Sequence, residues 1–222
     1  MVWQLNQAKA ALLALLIVVG IGFQCQTAQA GSTEVLTVAG GCFWCVESDF
    51  ESVSGVKEVI SGYTGGSLKN PSYKDVTAGG SGHFEAVQIQ FEPARVSRED
   101  LLSMFFRSVD PTDAGGQFCD RGKSYRTAIF VANTTERKYA EMAKAEAQAA
   151  LGKKIVTPIL PLAKFYKAED YHQNYYKGTK LVVTRFGPKR QSEAYKRYRK
   201  GCGRDARVKQ LWGSAALFAD KY

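Results

Sequence analysis

Two cysteines, Cys42 and Cys45, are separated by only two residues in the stretch AGGCFWCVESD, which covers residues 39–49. This spacing occurs in redox pairs, in halves of zinc sites, and where a catalytic cysteine has an unrelated neighbour. A short apolar strand pattern precedes Gly40 and Gly41, and apolar residues at helical spacing follow them. Cys42 is therefore predicted in the first turn of a helix, where free N–H groups and the helix dipole favour a thiolate and lower the thiol pKa. This setting favours a nucleophilic cysteine over a buried structural one.

A carboxyl group, that of Glu85, lies at the start of a strongly alternating segment, residues 84–91. Glu85 shares one face of the predicted strand with Val87, Ile89 and Phe91, so it should point into the core. A carboxyl group in that position is either paired with Arg or Lys or kept protonated by desolvation. The protonated form is a general acid near neutral pH. The residues alone leave both readings open.

The other ligand-type residues give little support to a metal site, and none is predicted. Cys119 and Cys202 do not repeat the two-residue gap, so the double pair typical of a zinc site is missing from the sequence. The two histidines, His83 and His172, lie outside any hydrolase motif. Two alternatives to a nucleophilic enzyme stay open: a general thiol–disulfide oxidoreductase built on CFWC, and a metal-binding or interaction module.

Several short stretches, in order along the chain, resemble the A-type peptide methionine sulfoxide reductases. They are GCFWCVE at 41–47, GYTGG at 62–66, NPSY at 70–73, GHFEAV at 82–87 and DRGKSY at 120–125, and the similarity extends to YHQNY at 171–175. The resemblance implies an enzyme that uses thiols to convert methionine-S-sulfoxide, free or in proteins, to methionine.

The resemblance also implies a role for each matching polar position. Cys42 would attack the sulfoxide sulfur, and Glu85 would protonate the sulfoxide oxygen, which leaves poorly until it is protonated. Tyr73 and Tyr125 would donate hydrogen bonds to that oxygen, and Asp120 would help to organise the site.

Two aromatic residues, Phe43 and Trp44, would by the same resemblance line an apolar pocket for the substrate methyl group. A methyl pocket and oxygen donors together select one epimer at sulfur, and the resemblance implies the S form. It further implies no prosthetic cofactor, since an external thioredoxin-like dithiol supplies the electrons.

The last implied step is removal of a sulfenic acid from Cys42 by a second, resolving thiol. The chain departs here from the commonest family pattern, in which glycine occupies the position of Cys45. Two resolving thiols are thus available: Cys45, and Cys202 in what reads as a flexible basic segment. We hypothesise a relay from Cys42 to Cys45 and onward to Cys202. Cys119, beside Asp120, is either a structural thiol or the partner of Cys202.

Strand and helix patterns interleave along the chain that must position these residues. Strands are predicted near 34–38, 56–63, 84–91, 126–132 and 155–165, and helices after Cys42, after an N-cap at Ser97, over 135–151 and near 169–176. Long loops over 64–82 and 110–124 are typical of functional segments. Two strands follow each other without a helix, which favours an α+β fold. The prediction is a two-layer α/β sandwich with a ferredoxin-like plait core, a mixed sheet and long active-site loops.

The N-terminus predicts export to the periplasm or out of the cell. Lys9 precedes an apolar run over 10–23, and AQA at 28–30 offers a cleavage signal with small flanking residues. We expect a cleaved signal peptide over 1–30 and no stable membrane association afterwards, with an uncleaved anchor as the alternative. The expected substrates therefore include oxidised exported proteins.

Composition predicts one catalytic domain over 31–222, with a basic C-terminal extension from about 190 to 222. The apolar fraction of 45% is that of a folded protein, and the net charge of +9 is spread along the chain. No nucleic-acid motif accompanies these charges, so they favour solubility rather than nucleic-acid binding. A monomer is the simplest expectation.

Overall fold

The computed structural model describes residues 32–185 and 187–221, so the predicted signal peptide lies outside the described residues. The strands are β1 (Glu34–Gly40), β2 (Val56–Thr64), β3 (Phe84–Phe91), β4 (Gly116–Gln117), β5 (Asp120–Arg121), β6 (Thr127–Val131), β7 (Ile159–Pro161), β8 (Tyr166–Lys167), β9 (Leu181–Thr184) and β10 (Gly187–Arg190). The helices are α1 (Phe43–Glu51), α2 (Tyr73–Thr77), α3 (Arg98–Ser108), α4 (Thr134–Leu151), α5 (Gln191–Gly201) and α6 (Arg204–Trp212).

Six strands form one sheet in the order β7-β6-β1-β3-β2-β8. The pair β6–β7 is parallel and the other neighbours are antiparallel, so the sheet is mixed. At its centre Val38 pairs with Val87 on one side and with Ile129 on the other. The predicted α+β fold with a mixed sheet is confirmed.

Strand β3 shows how the alternating pattern builds the core. Val87, Ile89 and Phe91 are fully buried in the cluster that includes the apolar residues of α1 and α3. Phe84 and Ala86 point to the other face and join a second, smaller cluster. Burying each large apolar side chain contributes roughly 1.5–3 kcal/mol, so a shift of register by one residue is strongly disfavoured.

Side-chain caps fix where two helices begin. The Ser97 hydroxyl accepts from the Asp100 N–H at 3.0 Å, and the Asp100 carboxylate accepts from the Ser97 N–H, which forms a capping box before α3. The Asn133 side chain caps α4 in a similar way, by accepting from the Glu136 N–H. The predicted start of a helix at Ser97 is therefore confirmed.

Two predictions of secondary structure in the second half of the chain are wrong, one in the length of a strand and one in the type of structure. The strand expected over 155–165 is limited to β7, and the helix expected near 169–176 is a series of turns followed by a 3₁₀ turn, Tyr175–Lys177. The Gln173 amide replaces backbone pairing there, because it bonds both the N–H and the carbonyl of Ser61 on β2. Tertiary contacts of one side chain thus override local helix propensity.

The basic C-terminal segment is ordered rather than flexible. It folds into α5 and α6, and Tyr195, Arg199, Arg204 and Trp212 are buried. The apolar stems of the two arginines pack inside while their head groups form ion pairs, so positive charge did not imply exposure. Within the described residues, no helix is long and apolar enough to cross a membrane.

Candidate active site

The turn between β1 and α1 places Cys42 at the helix N-cap. Gly41 has a φ of +82°, and a Cβ at this position would lie 2.6 Å from the Gln117 Cβ, so only glycine fits. The Cys42 carbonyl accepts the first hydrogen bonds of the helix, from the N–H groups of Cys45 (3.1 Å) and Val46 (3.4 Å). Because the turn is this tight, Cys42 lies beside the carboxyl group of Glu85 on β3, the strand next to β1 in the same sheet.

A small cavity of about 60 Å³ brings the predicted catalytic and substrate-binding residues together. It is lined by Cys42, Phe43, Trp44, Tyr73, Glu85, Asp120, Tyr125 and Tyr198. Seven of these eight were singled out from the sequence, and Tyr198 was not. The roles assigned to them remain predictions, but their meeting in one cavity is a property of the fold.

Glu85 is 1% exposed at the base of this cavity. Its Oε2 accepts from the Phe43 N–H at 3.1 Å, and none of the described residues forms an ion pair with it. Burial, and to a smaller extent the nearby charge of Asp120, raises the pKa of Glu85 to about 8. Of the two readings left open by the sequence, the protonated acid is the one that fits.

Tyr73 and Tyr125 are hydrogen-bonded to each other beside Glu85. Burial and the charge of Glu85 raise the pKa of Tyr73 to about 12, and the same two causes raise that of Tyr125. Both phenols are therefore neutral at physiological pH. They can act as hydrogen-bond donors to an oxygen atom in the cavity.

The thiols of Cys42, at the N-cap of α1, and Cys45, in its first turn, are buried and hydrogen-bonded to each other, with Cys42 6% and Cys45 2% exposed. Burial first, then the hydrogen bond to Cys45, raises the pKa of Cys42 well above its ordinary value. The same hydrogen bond lowers the pKa of Cys45, with help from the charges of Arg204 and Arg199. The lowered pKa predicted for Cys42 is thus wrong, because desolvation outweighs the helix dipole. Of the two thiols, Cys45 is therefore the more readily deprotonated.

Asp120 reaches the cavity from the short hairpin β4–β5, and α5 holds it there. The Tyr198 hydroxyl donates a hydrogen bond to the Asp120 carboxylate. Sequence reasoning missed Tyr198, although the spacing of Tyr195, Tyr198 and Arg199 is that of one helix face and could have indicated a buried side of α5.

A second layer behind Trp44 positions that residue. The Trp44 indole N–H donates to Nδ1 of His172 at 3.2 Å, and its ring stacks on Tyr175 with centroids 3.8 Å apart. Burial lowers the pKa of His172 to about 4, so the imidazole is neutral and can accept this bond. Glu47 secures the backbone of this segment by accepting from the Asn174 N–H at 2.7 Å.

Cys119 and Cys202 form a disulfide bond across 83 residues of sequence. Cys119 is exposed at the tip of the β4–β5 hairpin, and Cys202 caps the end of α5. Of the alternatives for Cys119, pairing with Cys202 is the one observed. Cys119, Asp120 and Cys202 also form the one group of closely spaced metal-ligand types in the described part of the chain, but its two sulfurs are bonded to each other.

A buried ion cluster ties α5 and α6 to α1. Arg199 bonds the fully buried Asp49 at 2.7 Å and Asp205 at 2.7 Å. Arg204 donates to the carbonyl oxygens of Gly40 (3.2 Å) and Ser108 (2.9 Å), and its guanidinium therefore fixes the strand end just before the Gly-Gly turn. Taken together, a buried dithiol, a protonated carboxyl group and neutral phenols define a thiol-dependent oxidoreductase.

Comparison with known proteins agrees with this class. The family model for peptide methionine sulfoxide reductase matches residues 34–213. The peptide methionine sulfoxide reductase MsrA 2 of Caulobacter vibrioides is 51% identical over 185 residues, which cover 83% of this chain and 88% of the relative. MsrA of Bacillus subtilis is 45% identical over 183 residues, or 82% of this chain and 97% of the relative.

Solved structures show the same likeness. The reduced form of Mxr1 from Saccharomyces cerevisiae superposes with a TM-score of 0.63 at 31% identity, covering 70% of this chain and 90% of Mxr1. Methionine sulfoxide reductase A of Corynebacterium diphtheriae gives a TM-score of 0.59 at 32% identity, covering 68% and 76%. The chain belongs to the peptide methionine sulfoxide reductase family. The predicted resemblance and the predicted enzyme class are confirmed.

Proposed function

We propose that this enzyme reduces methionine-S-sulfoxide by direct attack of Cys42 on the sulfoxide sulfur, with Glu85 as the acid. The observation that carries the proposal is the buried carboxyl group of Glu85, which has no ion-pair partner among the described residues and lines the same 60 Å³ cavity as the Cys42 thiol. Thiol–disulfide exchange has no oxygen atom to protonate, whereas a sulfoxide oxygen leaves only after it has gained a proton.

In the first step the Cys42 sulfur forms a bond to the sulfoxide sulfur, and the Glu85 proton passes to the oxygen. The hydrogen-bonded Cys45 sulfur accepts the Cys42 proton as the new sulfur–sulfur bond forms, because transfer before the attack is uphill from the higher pKa of Cys42 to the lower pKa of Cys45. Transfer of the hydroxyl group to Cys42 then releases methionine and leaves a sulfenic acid on Cys42. The substrate sulfur gains two electrons and the Cys42 sulfur loses them.

The side chains that line the cavity orient the sulfoxide group of the substrate. Tyr73 and Tyr125 donate hydrogen bonds to the oxygen as it gains negative charge, which preorganised donors stabilise strongly in a dry site. Asp120, held by Tyr198, keeps this side of the cavity in place. Phe43 and Trp44 accept the methyl group on the opposite side, so only the S epimer presents its oxygen to the phenols.

The sulfenic acid on Cys42 is removed by Cys45, because the two sulfurs are in contact. The Cys45 sulfur, which holds the proton taken from Cys42, attacks the sulfenic sulfur. That proton leaves with the hydroxyl group as water, and a Cys42–Cys45 disulfide forms. Cys202 acts only later, since it is bonded to Cys119. A thioredoxin-like dithiol returns the two electrons, and no prosthetic group is required.

The N-terminal sequence supports action on exported proteins, with cleavage near residue 30, followed by function as a monomer in the periplasm or outside the cell. Oxidised methionine residues in exported proteins are then the main substrate, and free methionine sulfoxide is a second one. N-terminal sequencing of the secreted or periplasmic product tests this placement, because a mature chain that still begins at Met1 contradicts it.

One assay tests the chemistry. The S and R epimers of methyl p-tolyl sulfoxide are offered separately with dithiothreitol to the wild type and to Cys42→Ser. We expect sulfide from the S epimer with the wild type only. Turnover of the R epimer at a comparable rate, or activity of the variant, contradicts the proposal. If Glu85→Gln still reduces insulin disulfides as fast as the wild type while losing sulfoxide turnover, the acid serves the sulfoxide reaction alone.

A further inference from the structure

The inner cavity, which Cys42 and Glu85 line, is too small for a whole methionine residue. Its volume of about 60 Å³ is that of a few water molecules, so it holds the methylsulfinyl group at the end of the side chain. The main chain of a protein substrate must therefore continue outside this cavity. Cys42 and Glu85 are 6% and 1% exposed, whereas Trp44 and Tyr198 are two of the half-buried side chains at its edge. A substrate chain that leaves the cavity can thus pass over these two aromatic residues.

An outer groove of about 560 Å³ begins at the same edge. The groove is continuous with the inner cavity, because Trp44 and Tyr198 line both spaces. Its volume lies within the range of roughly 300–1,000 Å³ that is typical of pockets for drug-sized ligands. The outer groove can therefore hold the residues that flank a methionine sulfoxide in a polypeptide.

Three aromatic side chains form the part of the groove that borders the cavity. Trp44 stacks on Tyr175 with ring centroids 3.8 Å apart, and Tyr198 meets Trp44 nearly at right angles with centroids 6.1 Å apart. His172 accepts from the Trp44 indole N–H, and Asp120 accepts from the Tyr198 hydroxyl, so both rings are held in place. Aromatic surfaces of fixed orientation contact a peptide at a low cost in conformational entropy.

Another part of the groove wall is apolar and positively charged. Val183 on β9 is 92% exposed there, and Arg185 and Arg197 line the same space. None of the described residues that line the outer groove is acidic. Guanidinium groups bind carboxylates with paired, charge-assisted hydrogen bonds. An acidic residue near the methionine sulfoxide is therefore complementary to this wall, whereas a lysine is not.

We propose that the outer groove is a subsite for polypeptide substrates, which binds the residues that flank the methionine sulfoxide and favours acidic ones through Arg185 and Arg197. The inference rests on the proposed function, because it presupposes that the sulfoxide group enters the inner cavity. It adds to that function a preference among protein substrates: sulfoxides next to Asp or Glu are reduced faster than those next to Lys or Arg. Free methionine sulfoxide has no flanking residues and gains nothing from the groove.

The continuity of the two spaces favours a substrate chain as the occupant of the groove. A polypeptide anchored by its sulfoxide in the inner cavity reaches the groove without a second encounter, so that even weak contacts there add to its affinity. The Cys119–Cys202 disulfide ties the end of α5 to the β4–β5 hairpin and thereby holds the helix that carries Arg197. The groove wall is thus fixed before the substrate binds.

Matched peptides test the preference. Short blocked peptides carry one methionine-S-sulfoxide flanked on both sides by Glu, by Gln or by Lys, and dithiothreitol supplies the electrons so that no reductant protein is present. We expect kcat/KM at low ionic strength to be about fivefold higher for the Glu peptide than for the Lys peptide, as for exposed ion pairs. The difference should shrink at high salt, because exposed charges are screened. Equal values for the three peptides at low salt overturn the proposal.

Variants locate the preference in the groove. The double variant Arg185→Gln/Arg197→Gln should bring the ratio of kcat/KM for the Glu and Lys peptides close to one. The change should appear mainly in KM, because these contacts bind the ground state and the transition state alike. Lys196→Gln removes an exposed charge of α5 that does not line the groove, and this matched control should keep the wild-type ratio. A double variant that keeps the wild-type ratio overturns the assignment.

A carboxylate introduced into the groove gives the converse test. Val183→Asp should lower the ratio for the Glu and Lys peptides below that of the wild type, whereas Leu162→Asp, at an exposed apolar position outside the groove, should not. Equal ratios in these two variants contradict the proposal.

Two further results separate the subsite from the proposed function and from another occupant. If the S epimer of methyl p-tolyl sulfoxide is reduced but none of the peptides is, the subsite is overturned and the proposed function stands, whereas no turnover of any sulfoxide contradicts the proposed function instead. With thioredoxin and its reductase as electron source, a double variant that raises only the KM for thioredoxin assigns the groove to the reductant and overturns the proposal.

Discussion

The protein has two cysteine pairs, an inner pair, Cys42 and Cys45, and an outer pair, Cys119 and Cys202. The sulfurs of the inner pair are brought together by local helix geometry and those of the outer pair by the tertiary fold. Cys42 and Cys45 are close because one helical turn makes them so, and the sheet and α5 then bury both. Cys119 and Cys202 are 83 residues apart and meet only because the β4–β5 hairpin lies against the end of α5. Cys42 of the inner pair lines a small cavity, whereas Cys119 of the outer pair is exposed, so the two pairs differ in their access to solvent.

The surroundings of the two pairs differ as much as their burial. The inner pair lies between a protonated acid, Glu85, on one side and the arginines of the buried ion cluster on the other. The outer pair has Asp120 as its neighbour, with the Cys119 sulfur 3.9 Å from a carboxylate oxygen. Burial therefore controls the protonation states around the inner pair, whereas solvent screens the charges around the exposed Cys119.

Replacing the nucleophile should produce the largest effect. Cys42→Ser is expected to release no sulfide even in a single turnover, because a serine hydroxyl cannot accept the two-electron oxidation. Cys45→Ser is the matched variant on the same helix and should release about one equivalent per enzyme before stopping as a sulfenic acid. Rapid-quench product analysis measures both. A burst of sulfide from Cys42→Ser would contradict the assignment of Cys42 as the attacking thiol and Cys45 as the resolving thiol.

The second-largest effect is expected for Glu85→Gln, in which kcat should be lowered about 10²–10⁴-fold because a positioned general acid is lost. The pKa of Glu85 is about 8, and the acid is needed in its protonated form. Wild-type activity should therefore fall as pH rises through about 8, and the variant should lack this alkaline decline. Glu58→Gln, an exposed carboxylate on the adjacent strand, is the control. An alkaline limb that persists in Glu85→Gln assigns it to another group.

Arg199→Met tests the tie between the helices that carry the two pairs. It leaves Asp49 charged and fully buried without its 2.7 Å partner, so we expect the free energy of unfolding to fall by about 3–5 kcal/mol. Urea unfolding measures this loss. Arg121→Met, which breaks an exposed ion pair with Asp113, should leave the stability nearly unchanged. Equal losses in the two variants contradict the role of the buried cluster.

The smallest effect concerns thiol reactivity in the fully reduced protein. Iodoacetamide should modify Cys119 more than about tenfold faster than Cys42, because each unit of raised pKa reduces the thiolate fraction tenfold and burial adds a steric barrier. Time-resolved alkylation followed by peptide mapping gives the two rates. Equal rates indicate that the inner cavity opens freely, which erases the contrast between the pairs.

Local patterns predicted several elements well. The alternation in β3 gave its bounds and the inward direction of Glu85, since the side-chain period of a strand is two. Ser97 and Asp100 gave the start of α3 through a cap that involves only near neighbours. The helix expected near 169–176 failed because Gln173 bonds a strand more than a hundred residues away, and no local pattern carries that information.

Residue types and their order were enough to predict the chemistry available to this protein: CFWC after two glycines, an acid on an apolar strand face, and the motif order of the family. Those features depend on residue types and short spacings, so they can be read without coordinates. Three features required the folded chain: the raised pKa of Cys42, the pairing of Cys119 with Cys202, and the packing of the basic C-terminal segment against α1. Desolvation and long-range pairing depend on what surrounds a side chain in space, and spacing along the chain does not specify those surroundings.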